Sequence, residues 1–424
     1  MKILFKNAKI LDVVNSKLIN GAVEVEDDTI VAVGKFDFKS NYDRVIDCNG
    51  NILMPGFVNT HCHTPMTLLR SFKDDAPLNE WLFDNILPVE AKLTEEDVYW
   101  GEYLGIMESV RAGITTLEEG YFLNDAIYKA VEKSGIRARI GFGPTTRDVG
   151  MTNLEYLDSE YKIIKPTNLI KPCCFVHSIY TTNTKVVEES VKWTDKNNIP
   201  LSIHMSETTK EVTDCLNQYK KTPTQYLNDL NFFNKDCLCY HCVHMTDEDL
   251  DVLKKNNVSV STCPSSNIKL ASGIAKINGM LNRGINVTIG TDGVASNNSL
   301  DMFKEMFLVA TLSKVNTFQA DVVPASEVLK MATINGAKAL GFNCGEISVG
   351  KSADIILIGI NQPHYYPQEN LISHLVYAGK SSDVYLTMIG GNIVYENGKY
   401  NIGESEQDVY NNVSKIRKRL IEKN

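Results

Sequence analysis

The chain has 424 residues, 43% hydrophobic and 22% charged, with a formal net charge of -9, a length that suits one large catalytic domain plus a smaller one. The acidic balance argues against a nucleic-acid partner, because a phosphate-backbone binder carries a basic patch that displaces counterions. No stretch approaches the roughly 20 apolar residues of a bilayer span, so no membrane partner is expected either.

At the N-terminus, Lys6 and Lys9 interrupt the apolar run before a signal-peptide core can form. Ten cysteines without an export signal fit reduced thiols in a cytoplasmic protein. Residues 1–52 read as short strands, KILFKNAKIL, GAVEVEDDTIVAVGKF and RVIDCNGNIL, with turn signals at Asp27-Asp28, Gly34 and Asn49-Gly50. The alternation returns within residues 346–402, in ADIILIG and DVYLTMIGGNIVYENGKY, which predicts one small β-sandwich domain built from both chain ends.

Between them, over residues 53–345, apolar runs of strand length alternate with longer helical patterns. The strand candidates are PGFVNTHCH, GITTLEE, RARIGFG, PCCFVHS, PLSIHMSE, DCLCYHCV, VSVSTCP and INVTIGTDG. Eight βα units of this length predict an α/β fold, a (β/α)8 TIM-like barrel. Residues 403–424 carry Val409, Val413, Ile416 and Ile421 at helix-compatible spacing, which predicts a C-terminal surface helix without chemistry.

Of eight histidines, five fall at the ends of predicted barrel strands, where active sites of such barrels gather. Residues two apart on a strand share a face, so His61 and His63 of NTHCHTP can reach one metal together. His204 ends the fifth strand, His241 the sixth and Asp292 the eighth. His61, His63, His204 and Asp292 form a ligand set for a borderline cation such as Zn²⁺ that leaves a position for water. One zinc per subunit is the expectation, although Fe²⁺ or Mn²⁺ suits the same donors. Such a cation activates water, and the chemistry then needs groups that move protons; Glu207, His241 and Asp292 are the catalytic candidates. Glu207, three residues beyond His204, is assigned to substrate protonation. His244 is read as structural, and His364 and His374 receive no role. Cys237, Cys239 and Cys242 lack a second ligand pair at zinc-site spacing and are read as buried barrel residues.

These motifs, together with PGFVNTHCHTPMTLLRSFKDDAPLNEWLFDNILPVE, IHMSET, HCVHM, CPSSNIKLASGIA and GTDGVASNNSLDMF, resemble the amidohydrolase superfamily. More narrowly the sequence is similar to the 5-methylthioadenosine/S-adenosylhomocysteine deaminases and their chlorotriazine hydrolase relatives. The resemblance covers nearly the whole chain. It implies a mononuclear zinc site and hydrolytic loss of the 6-amino group of an adenine nucleoside, with Glu207 protonating N1 of the purine and His241 and Asp292 handling the water. It also carries Trp81, Glu90 and His177 over as substrate contacts, Glu90 suiting a ribose diol because a carboxylate accepts two hydroxyl donors. Around His177 this chain reads VHSIY where relatives read like PHSPY, so the pocket floor is open to reshaping. Arg137, Arg139 and Arg147 are the candidates for the far end of the substrate.

Rival readings are guanine deamination or triazine dechlorination on the same scaffold, a binuclear amidohydrolase, and a metal-binding protein without catalysis. Lys171 lies before the fourth strand, away from a bridging position, which favours one metal. Retention of three proton-transfer candidates disfavours mere metal holding. The HxE and PCxxC signature of cytidine-type deaminases is absent. A homo-oligomer is expected from the way barrels of this kind associate.

Overall fold

The computed structural model describes residues 1–38, 41–144 and 151–422, and Arg147 therefore lies outside the described residues. Eight parallel strands run in sequence order around a ring: Phe57–Cys62, Ile114–Gly120, Arg137–Phe142, Ile170–Val176, Leu201–Met205, Cys237–His241, Ser259–Thr262 and Asn286–Ile289. The strands are buried on both faces, as parallel strands clad by helices must be, which is why their sequences read as near-continuous apolar runs. Thr94, Thr152, Thr222 and Thr246 start four of the intervening helices with reciprocal caps, each satisfying two otherwise unpaired backbone N–H groups.

Closure of the ring is local to the first and last strands. Thr60 Oγ1 donates to Ile289 O at 3.0 Å, and the N–H groups of Thr291 and Asp292 both donate to His61 O, at 3.1 and 2.9 Å. Gly290 permits this approach, because a Cβ there would lie 2.7 Å from His61 Cβ.

The two chain ends form a second sheet of nine strands, largely antiparallel. Its hydrogen bonding is continuous, and it folds back on itself: the strand Thr29–Gly34 meets residues 350 and 351 through Ile30 N–H to Lys351 O and Gly350 N–H to Ile30 O, both 2.9 Å. Ile3, Phe5, Val23, Ile30, Leu53 and Leu357 pack into the sheet's own core. Ile52 and Met54, on the opposite face of the same strand as Leu53, pack against the barrel. That strand, Ile52–Pro55, pairs within the antiparallel sheet, so the sheet runs three residues past position 52.

Arg137 and Asp354 tie the two sheets together. The guanidinium donates through Nε and Nη2 to the two carboxylate oxygens at 2.6 and 2.9 Å, and Asp354 also accepts the Gly390 N–H at 2.8 Å. Arg137 opens the third barrel strand, at the end opposite the histidines, and Arg139 is buried against Glu118 inside the barrel. Neither reaches the mouth of the barrel, which corrects the expectation that one of them meets a substrate tail.

The last helix, Glu406–Glu422, buries Val409, Ile416 and Leu420 against Glu95–Arg111, whereas Ile421 is exposed. The apolar stripe thus runs through Leu420 and not through Ile421. Arg417 Nη1 donates to Leu68 O at 3.0 Å.

Breaking a buried ion pair from one side leaves an uncompensated charge that costs about 3–5 kcal/mol. Asp354→Ala is expected to lower unfolding stability by that amount, as read by chemical denaturation; a change below about 1 kcal/mol would show that the pair does not hold the sheets together.

Candidate active site

The C-terminal ends of the first, fifth, sixth and eighth strands deliver His61, His63, His204, Glu207, His241 and Asp292 into one buried space. None is more than 8% exposed, so each charge among them must be met by a partner. His61 Nε2 lies 3.2 Å from His204 Nε2 and 3.4 Å from Asp292 Oδ1, and His63 Nε2 lies 3.5 Å from the same Asp292 oxygen. Two metal-competent groups share His61: His61, His63 and Asp292 form one, and His61, His204 and His241 the other.

Backbone acceptors set the ring tautomers. His204 Nδ1 faces His177 O at 2.7 Å, and His63 Nδ1 faces Gly120 O. A carbonyl can only accept, so each Nδ1 carries hydrogen and each Nε2 is left with a lone pair aimed at the cluster. Donor atoms held about 2.0–2.1 Å from one centre in a tetrahedron lie about 3.3–3.4 Å apart. The spacings of 3.2, 3.4 and 3.5 Å match that edge length, and the triad His61, His63 and Asp292 offers imidazole nitrogens and a carboxylate oxygen that could hold one cation.

The backbone is bent to present these groups. Ser206, His241, Cys242 and Asp292 adopt φ of 51°, 67°, 46° and 64°, a left-handed conformation that stores strain in residues with a Cβ and concentrates at functional sites. Cross-strand bonds hold the bend: Cys242 N–H donates to Met205 O at 3.1 Å, and the N–H groups of Val243 and His244 donate to Ser206 O at 3.1 and 2.9 Å.

Burial pushes His61 down to about 3 and His177 to about 4, and drives His63 and His204 below the ordinary imidazole value. The rings are neutral, as metal ligation requires. Burial works against ionisation of Asp292, yet its contact with His61 and the nearness of His241 and His63 hold its carboxyl well below the carboxylate range. His241 Nε2 lies 3.8 Å from Glu207 Oε2. Burial raises Glu207 towards its neutral form, while His241, though buried, is raised by Glu207, Asp292 and its bond to Asn267. A carboxyl and an imidazole, each with its affinity for a proton raised, stand side by side.

The three expected substrate contacts are placed differently. His177 follows the fourth strand, its ring 4.8 Å from that of His204 and its Nδ1 2.9 Å from Thr181 Oγ1. Glu90 is buried and accepts the Tyr121 hydroxyl, and the Tyr121 ring lies 6.4 Å from that of His63. Trp81 is buried in the apolar core beside the barrel, on the turn Glu80–Ile86, with its Nε1 unpartnered among the described residues.

Sequence reasoning missed Asn267, whose Oδ1 lies 2.8 Å from His241 Nδ1 and turns Nε2 towards Glu207. It also missed Tyr240, stacked on His61 at 3.8 Å and hydrogen-bonded to Glu118 at 2.6 Å. The only sequence signal for Asn267 is its place in CPSSN, which opens the short helix Pro264–Lys269 after the seventh strand, and Tyr240 reads as an ordinary strand aromatic. His244 bonds Ser272 O, His364 pairs with Asp383 and His374 bonds Pro367 O, all away from the cluster. Lys171 reaches Gly341 O at the opposite barrel end, and the ten cysteines are buried and unpaired.

Residues 52–394 match the model of the amidohydrolase family, and the chain belongs to that family. It is 41% identical to the 5-methylthioadenosine/S-adenosylhomocysteine deaminase of Thermoanaerobacter pseudethanolicus, with all of both chains covered. It is also 41% identical to the 5'-deoxyadenosine deaminase of Methanosphaera stadtmanae, over 96% of each. Among solved structures, an adenosine deaminase from Xanthomonas campestris with bound zinc superposes with a TM-score of 0.94 at 32% identity, covering 99% of this chain and 98% of that one.

A histidine whose folded pKa is depressed contributes stability that is present above its unfolded value near 6.5 and is lost as pH falls through the folded value. Between pH 6.5 and 4, metal-free wild type is therefore expected to lose stability relative to His177→Asn, by about 2–3 kcal/mol at pH 4. Urea denaturation at several pH values checks this; parallel curves for the two proteins would contradict the neutral state of the partly buried His177.

Proposed function

We propose that the chain is a zinc-dependent hydrolytic deaminase of adenine nucleosides, acting on 5-methylthioadenosine, S-adenosylhomocysteine, 5'-deoxyadenosine or a close relative. The observation that carries the reading is the Glu207–His241 pair, 3.8 Å apart beside a cluster of neutral imidazoles and one ionised carboxylate. Full-length similarity to proteins named for these substrates supports it. Holding a metal alone needs no such pair, whereas replacing an exocyclic amine by oxygen needs one group that gives a proton and another that takes one.

His61, His63, His204 and Asp292 would hold the cation, with His241 turned by Asn267 towards Glu207. When bound, zinc polarises water and lowers its pKa into the neutral range. Glu207, whose protonated form burial favours, delivers a proton to N1 of the purine, which makes C6 electrophilic. His241 and Asp292 orient the attacking water and take its proton as oxygen adds to C6. A proton then passes to the 6-amino group, the C6–N bond breaks, and ammonia leaves with an inosine-type product; one water is consumed and no redox partner is needed. Glu90, fixed by Tyr121, is suited to the ribose hydroxyls, and His177 and Trp81 complete the substrate contacts. A cytoplasmic homo-oligomer acting on small nucleosides is the setting this reading implies, supported by the buried unpaired thiols.

The test is ammonia release from zinc-loaded protein with methylthioadenosine, S-adenosylhomocysteine, 5'-deoxyadenosine, adenosine and guanine. At least one adenosine derivative is expected to turn over, and Glu207→Gln to lower kcat by about 10²–10⁴-fold. Turnover of guanine alone, or of none of the five, would overturn the reading.

A further inference from the structure

Three buried carboxylates that take no part in the mechanism accept backbone N–H groups next to site residues. Glu119 Oε2 accepts the Thr64 N–H at 2.8 Å, just after His63, and Glu305 Oε2 accepts the Ser265 N–H at 3.0 Å, at the start of the short helix Pro264–Lys269 that carries Asn267. Glu211 goes further. Its Oε1 accepts the Ser206 N–H at 2.9 Å and its Oε2 the Glu207 N–H at 2.8 Å, so both oxygens grip the turn between His204 and its helix.

Glu211 is itself held rigidly. It stands in the first turn of the helix Thr209–Tyr219, where its own N–H donates to the cap Thr208 Oγ1 at 3.1 Å, and it is 4% exposed. Among the described residues no cation pairs with it, and burial pushes its carboxyl up to about 7 in spite of the two amides. A turn can be tied more cheaply by a hydroxyl or an amide oxygen. Only a carboxylate offers two equivalent acceptor oxygens to two adjacent N–H groups. The turn so tied includes Ser206 at φ 51°, a conformation that relaxes unless its surroundings hold it.

We infer that Glu211 is a positioning residue for Glu207, fixing the backbone of Ser206 and Glu207 and through it the direction in which the Glu207 carboxyl meets the substrate. The inference rests on the deaminase reading for its kinetic consequence. It rests on the two hydrogen bonds alone for its structural one.

Glu211→Gln keeps size and shape but offers one acceptor oxygen instead of two. Expected are wild-type metal content, KM within about threefold, and kcat lower by about 10–100-fold, the scale set by small misplacements of a catalytic group. Because Glu211 acts only through Glu207, the Glu207→Gln/Glu211→Gln double variant should be no slower than Glu207→Gln alone. Amide hydrogen exchange at residues 206 and 207 should quicken by about tenfold or more in the single variant. Glu211→Asp, which keeps both oxygens but withdraws them by one methylene, should show the same pattern at smaller amplitude and serves if the glutamine variant fails to fold. Wild-type kcat in Glu211→Gln, losses that multiply with those of Glu207→Gln, or unchanged exchange at the two amides would each overturn the inference. If wild type releases no ammonia from any adenosine derivative, the deaminase reading falls, and the exchange measurement still decides whether Glu211 holds the turn.

Discussion

Imidazole nitrogens and a carboxylate oxygen meet at the barrel mouth at spacings of 3.2 to 3.5 Å, with lone pairs directed at one another and almost no solvent. Left to themselves, acceptors so arranged repel, and a buried anion without a counter-charge is strongly disfavoured. The arrangement persists because the rings of His63, His204 and His241 are locked from behind by a backbone or side-chain acceptor, and because a cation at the centre would satisfy inward lone pairs at once. Much of the surrounding structure is explained by the need to hold that geometry.

Closure of the barrel serves it first. The first and last strands supply His61, His63 and Asp292, and the hydrogen bonds that close the ring run to the carbonyl of His61 from the N–H of Asp292 and its neighbour. A ligand on one edge of the sheet thus depends on the other edge for its position. The strained residues Ser206, His241 and Asp292 fall where side chains must turn inward from strand ends, and the adjacent turns are tied to one another or to buried carboxylates. Below this layer, Tyr240, Glu118 and Arg139 fill the barrel with a paired polar network under His61, so the floor of the site is rigid.

The fold is legible in the sequence because its two signals are periodic and redundant. Eight apolar runs between helical segments mark a barrel even when any single run is ambiguous, and all eight are strands in the structure. The returning alternation near residue 355 pairs with the N-terminal strands as expected, but the N-terminal segment reaches further than its sequence suggests. Ile52–Pro55 is apolar on both faces because it lies between two cores, so it resembles a barrel strand. In the terminal helix, Leu420 and Ile421 are adjacent apolar residues and only packing decides which one is buried. Site histidines are visible because strand ends are where chemistry gathers. Their supports are not, since Glu211, Asn267 and Tyr240 work through contacts distant in sequence or through backbone amides, which leave no spacing motif. Arg137 and Arg139 mislead for the complementary reason: their charge is visible in the sequence, but their partners Asp354 and Glu118 come from other segments of the chain.

The most direct test of the account is anomalous X-ray scattering from crystals of the protein grown with zinc. The account predicts one metal peak per chain, about 2.0–2.2 Å from His61, His63, His204 and Asp292, with His241 turned to Glu207 and not coordinated. Two ions, no ion at the barrel mouth, or a single ion held by His241 in place of Asp292 would contradict it.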